Sequence, residues 1–177
     1  FLHVFMAGFM LFLSPGIASI TSISLVYSLA APAVYILSRS YEISRKSSLL
    51  GAGIAAASTS LMQSQIMGFW SFAAAFIFGT ASFGFYRLYA KNNSRKYFLG
   101  YAVSGIASVL THWVFGAFII GMPILDIILE RRENLWENLK TPAAMLGLVL
   151  PFYGAFFATS SITSYITTSF GEIFPSA

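Results

Sequence analysis

The chain has 177 residues, 57% of them apolar and only 9% charged, with a formal net charge of +4 and no cysteine. A soluble domain carries roughly 25% charged residues, so this composition excludes a surface covered by ionic groups, and the missing cysteines exclude disulfides and thiolate metal sites. The basic excess fits anchoring at the cytoplasmic face of a membrane; no nucleic-acid motif accompanies it.

Placement of the charges sets the organisation. No Asp, Glu, Lys or Arg occurs in 1–38, 47–86, 97–125 or 141–171. Each run is long enough for a helical span, which needs about 20 mainly apolar residues. Barrel strands would alternate polar and apolar residues, and runs such as AAAFIF (73–78) do not. The predicted fold class is therefore all-α: a polytopic helical membrane protein with about six transmembrane helices and a short N-terminal juxtamembrane helix, in one domain.

In chain order, 1–13 is apolar but short, and Ser14-Pro15-Gly16 breaks it; it reads as an interfacial or re-entrant helix. It lacks the basic leader of a signal peptide, and a chain opening on Phe1 reads as a piece of a longer protein. A span over 17–38 follows, then the cluster RSYEISRK (39–46). Residues 47–86 suit a hairpin with spans at 48–62 and 67–89, turning at the polar stretch STSLMQSQ (58–65). Arg87, Lys91, Arg95 and Lys96 form the next basic loop, with Asn92-Asn93-Ser94 as a turn. Residues 97–130 are open to one span or two; two spans, 97–111 and 113–130, put all ten basic residues on one side, as the positive-inside rule favours. The stretch DIILERRENLWENLK (126–140) predicts an amphipathic cytoplasmic helix, with Glu133 and Glu137 spaced to pair with Lys140 and Arg131 and Arg132 anchored to anionic headgroups. A last span covers 142–165. Ser14–Gly16, Gln63–Gln65 and Thr111-His112 then share the outer face.

Four stretches in this order resemble the GT-C superfamily of membrane glycosyltransferases, closest to the dolichyl-phosphate-mannose protein mannosyltransferase-like group. FLHVFMAGF (1–9) is similar to the juxtamembrane helix that closes the family's first external loop. LVYSLAAPAVYILSRSYEISRKSSLLGAGIAAAS (25–58) resembles its second span and Ala-rich third helix. MQSQIMGFWSFAAAFIFGTASFGFYRLY (62–89) sits where a polar turn leads into a long helix, and YFLGYAVSGIASVLTHWVFGAFIIGMPIL (97–125) is similar to the short helix, Thr-His-aromatic turn and return helix. The resemblance implies transfer of a sugar from a polyprenyl-phosphate-linked donor to an acceptor on the outer face. It also implies acidic residues upstream of Phe1 as base or as ligands of a divalent metal. The family's acidic and Arg positions in the second turn correspond here to Ile66 and Gly68, which departs from its pattern.

The chemistry needs a base for the acceptor hydroxyl and donors for the departing phosphate. The candidates for substrate binding are His112, Gln65, Ser64, Gln63 and His3. Each has a plainer reading: His112 as a packing histidine between helices, His3 as an interfacial residue, and Gln63–Gln65 as a solvated turn. No metal-ligand spacing and no cofactor motif occurs. Trp70, Trp113 and Trp136 read as interfacial anchors, and Gly100, Gly105, Gly116 and Gly121 as close-packing positions. Asp126 and Glu172 lie near predicted span ends without an evident acidic partner. Expected partners are the polyprenyl-phosphate-sugar donor, membrane lipids and other membrane proteins, in a prokaryotic plasma membrane or an endomembrane. The alternative is a non-catalytic membrane scaffold or assembly subunit, which Ile66 and Gly68 favour. A transporter ranks behind, since it would place a charge within a span or show an inverted repeat.

Overall fold

A computed structural model describes residues 2–63, 70–112, 114–131 and 135–158. Among the described residues the protein is all-helical. The helices are α1 (Leu2–Met10), α2 (Pro15–Ser28), α3 (Ala30–Ser40), α4 (Arg45–Gln63), α5 (Trp70–Asn92), α6 (Arg95–Thr111), α7 (Phe115–Glu130) and α8 (Leu135–Ala158).

Proline explains two of the boundaries. Pro15 opens α2, where a missing N–H removes no intrahelical bond. Pro32 has no N–H to offer the Ser28 carbonyl, and α2 gives way to α3 one turn earlier. Leu29 N–H falls back on Val26 O at 3.1 Å, and Ala33 N–H resumes the ladder on Leu29 O at 3.0 Å. The two helices together, Pro15–Ser40, make the one segment among the described residues that is long and apolar enough to cross a bilayer by length and composition, 26 residues with a mean hydropathy of 1.7 over an 18-residue window. The other expected spans fall short for physical reasons. Helices α6 and α7 have 17 and 16 residues, under the ~20 that a bilayer core requires. Helix α4 opens on Arg45-Lys46, α5 carries hydroxyl and basic side chains along its length, and α8 has its charges, Glu137 and Lys140, in its first two turns ahead of an apolar remainder.

The segment 97–130 divides into two helices around a non-helical His112. Three expectations need correction. Helix α4 continues through Ser58–Gln63, because Ser, Thr and Gln do not end a helix and no Gly or Pro lies between Ala55 and Met67. The stretch 126–140 is not one amphipathic helix: α7 ends at Glu130, and 135–140 is the first part of α8. Within it Lys140 Nζ does pair with Glu137, at 2.7 Å; Glu133 and Arg132 lie outside the described residues. Finally, Gly121 has open space around a notional Cβ, so it is not a packing position.

Helix α5 is the centre of the bundle, packed along α6 and also against α3, α7 and α2. Small residues bring the backbones together. A Cβ on Gly84 would stand 2.9 Å from the Leu37 backbone nitrogen, and one on Gly100 would stand 2.8 Å from the Phe85 ring. Gly105 admits Met145, and Gly116 admits Tyr153. Hydroxyls then bond across helices: Ser108 Oγ donates to Ala75 O at 2.6 Å, Ser82 Oγ to Tyr101 O at 3.1 Å, and Tyr101 OH to Ile119 O at 3.3 Å. Polar side chains are thus buried within a largely apolar core while many large apolar side chains are exposed. Ser22, Ser82, Arg87, Ser108 and Asp126 are buried, whereas Ile20, Leu50, Val103, Leu129 and Leu150 are exposed.

Candidate functional site

The ends of α5 lie in unlike surroundings. At its start, Phe72 meets the His112 ring edge-on with centroids 5.6 Å apart, and His112 meets Phe115 in the same way at 6.1 Å. His112 closes α6: its N–H bonds Ser108 O at 2.9 Å, and its own carbonyl accepts from Phe115 N–H at 3.1 Å. The imidazole is thus held where the chain reverses from α6 into α7. Its Nδ1 is buried and has no hydrogen-bond partner among the described residues.

The other predicted binding residues are not gathered around it by anything described. His3 and Gln63 belong to α1 and α4; their side chains, and Ser64, Gln65, Ile66 and Gly68, lie outside the described positions, as do Trp113 and Glu172. Trp136 is 81% exposed at the start of α8, and Trp70 is the first residue of α5.

The opposite end holds a constellation that sequence reasoning missed. Arg87, expected in a loop, is inside α5 and buried. It pairs with Asp126 of α7, and its second amino group donates to Glu130 Oε2 at 2.6 Å. The side chains of Arg87 and Asp126 are 5% and 2% exposed. Asp126 and Glu130 are four residues apart, so α7 presents both to one partner. Arg131, expected to anchor to headgroups, instead brings its Nε to 3.3 Å from Asp126 Oδ2. The Tyr41 ring lies under the guanidinium at 3.8 Å. Next to it Lys91 Nζ donates to Ser40 O at 2.8 Å and to Glu42 Oε1 at 2.9 Å. That hydrogen bond and the Lys91 charge hold the Glu42 carboxyl below its ordinary value. They also fasten a residue whose φ of 63° is unusual for a non-glycine. Asn93, at φ 48°, turns α5 into α6 with a residue type that accepts this conformation. The i, i+4 spacing of Asp126 and Glu130 was the only available signal for the cluster, and it names no partner.

No set of described residues fits a divalent metal: no group of three or more His, Cys, Asp or Glu comes together among them. Glu42, Asp126, Glu130 and Glu137 are each engaged by a cation. Along α5, Phe72 and Arg87 are about 22 Å apart at 1.5 Å per residue, so the carboxylates held by Arg87 and Lys91 are remote from His112. No family model, curated protein or solved structure matches the chain.

Proposed function

We propose that this chain is a multi-pass helical membrane domain and that it forms part of a glycosyltransferase using a polyprenyl-phosphate-linked sugar, with the donor handled at the His112 end. The observation carrying the membrane reading is the extent of exposed apolar surface around a core that also encloses polar groups. Large Ile, Leu and Val side chains are exposed on helix after helix, while the largely apolar inside also holds serine hydroxyls and the Arg87–Asp126 pair. In water so many exposed large apolar side chains are unfavourable, and they mark an interaction or membrane-facing surface. In lipid it is the expected arrangement, because small residues and interhelical hydrogen bonds then hold the bundle together. Helices α6 and α7, at 17 and 16 residues, stand at the lower edge of the ~17–25 residues that spans use.

The sugar-transfer reading rests on the resemblance and on the imidazole of His112, kept at the uncharged end with one buried ring nitrogen that has no hydrogen-bond partner among the described residues. On this reading His112 donates to the departing phosphate, Gln63, Ser64 and Gln65 add polar contacts, and the base is a carboxylate from outside the described residues. Loss of one such donor costs about 10²–10³ in rate. Membranes carrying the complete protein and a labelled polyprenyl-phosphate mannose should therefore lose about a hundredfold in transfer on His112→Ala. Unchanged transfer would refute the role. The topology has its own test, helped by the absence of cysteine: single cysteines at Ser14 and His112 should label from one side of the membrane and those at Asn93 and Glu137 from the other. Labelling of all four from one side would refute the multi-pass arrangement.

The buried charge cluster favours a second reading, a non-catalytic scaffold or assembly subunit. It joins α5, α7 and the corner between α3 and α4, far from His112. This reading predicts that His112→Ala is silent while disruption of Asp126 abolishes assembly.

A further inference from the structure

Between α5 and α6 runs an open groove of about 430 Å³, lined by Phe78, Phe85, Gly100, Val103, Ala107 and Leu110 among others. Its polar lining residue, Ser104, turns its hydroxyl back onto Gly100 O at 2.5 Å, so the groove offers an acyl chain nothing but apolar surface. Phe85 lies flat enough on α6 to bound the groove only because residue 100 has no side chain. From Gly100 to Leu110 the groove is about 15 Å long, half of a ~30 Å hydrocarbon core: the reach of one leaflet.

Lys96 stands one helical turn before Gly100 and continues the stripe 100, 103, 107, 110 at spacings of four and three residues. Arg95 precedes it, and both are exposed. Every described carboxylate is already held by Arg87, Lys91, Arg131 or Lys140. Arg95 and Lys96 have no carboxylate partner among the described residues, and Lys96 Nζ rests over the Tyr97 ring at 4.8 Å. Two cations in the first turn run against the helix dipole, so α6 alone gives no reason for them.

We infer that this groove and the Arg95–Lys96 pair form a binding site for one anionic phospholipid, its acyl chain between Phe78, Phe85 and Val103 and its headgroup phosphate on the two cations. The inference rests on the membrane reading and is independent of sugar transfer. It assigns lipid anchoring to Arg95 and Lys96, in place of the Arg131 that Asp126 occupies.

The test uses the full chain purified in neutral detergent and titrated with phosphatidylglycerol or phosphatidylcholine, with the thermal unfolding midpoint as readout. Phosphatidylglycerol should raise the midpoint saturably and phosphatidylcholine should not. Each cation near an anionic headgroup contributes about a fivefold factor, so Arg95→Gln with Lys96→Gln should raise the half-saturating phosphatidylglycerol concentration roughly 30-fold. Val103→Trp, at an exposed position that tolerates bulk, should block the groove and remove the saturable shift. Arg45→Gln with Lys46→Gln, on the other corner of the same end, should leave it intact. Equal shifts by both lipids, equal losses from both cation pairs, or an equal shift by soluble glycerol phosphate would each overturn the site. Release of the chain from membranes by alkaline carbonate would overturn the membrane reading as well. An integral chain without phosphatidylglycerol preference would overturn this site alone.

Discussion

Helix α5 connects two ends that hold their neighbours by different means. Near Asn92 the neighbours are tied by charge: Arg87 bridges to Asp126 and Glu130, and Lys91 bridges to Glu42 and the end of α3. Near Trp70 they are tied by ring edges, Phe72 on His112 and on Phe115, with no ion pair there among the described residues. A buried ion pair tolerates little change, because removing one member leaves the other uncompensated. Aromatic edge contacts are weaker and tolerate a shift. The charged end is therefore the structural clasp, and the His112 end has the latitude that ligand binding needs.

The largest effect that sharpens this contrast comes from Asp126→Ala. It leaves the buried Arg87 with Glu130 alone and takes from Arg131 its Asp126 partner, and should lower stability by about 3–5 kcal/mol, read from thermal unfolding in detergent. Pairing it with Arg87→Met should cost less than the sum of the single changes; additive losses would mean that the two residues are not coupled. Next in size is Gly84→Ala, between the ends, where the new Cβ meets the Leu37 backbone and overpacking should cost about 1–3 kcal/mol. The same substitution at Gly121, which has open space, should instead stabilise α7 by about 0.5–1 kcal/mol. At the uncharged end His112→Ala removes two edge contacts and should cost only about 1 kcal/mol. A loss as large as that of Asp126→Ala would erase the distinction between the ends.

The smallest effect concerns Glu42. Its carboxyl is held below the ordinary 4.5 by Lys91, so its contribution to stability is complete above pH 4.5 and fades as pH falls from there through the lowered value. Because the group is exposed, the effect should be slight and should shrink further in high salt. Glu42→Gln should flatten that part of the stability–pH curve; an unchanged curve would show that the Lys91 contact contributes nothing.

Much of the helical plan was legible because it depends on local chemistry. Charge-free runs, the Ser14-Pro15-Gly16 break and the Asn92–Ser94 turn act within a few residues, and helices and corners lie there. The polar stretch 58–63 misled because hydroxyl and amide side chains are compatible with a helix, and 126–140 misled because its periodicity continues across the end of α7. His112 was legible as the residue at a reversal, but its aromatic neighbours were not, since Phe72 arrives from another helix.

From the sequence alone follow the helical class, the apolar surface and the concentration of charge at one end, because each is a property of composition and short-range spacing. Which charges meet is a tertiary matter. Arg87 and Asp126 are 39 positions apart, and their pairing depends on the rotation of α5 and α7 about their axes. Gly84, Gly100 and Gly105 contribute to that packing by letting neighbouring helices approach. The same packing engages Arg131 and leaves Arg95 and Lys96 outside beside an apolar groove, turning a uniform basic end into a clasp and an exposed cationic pair.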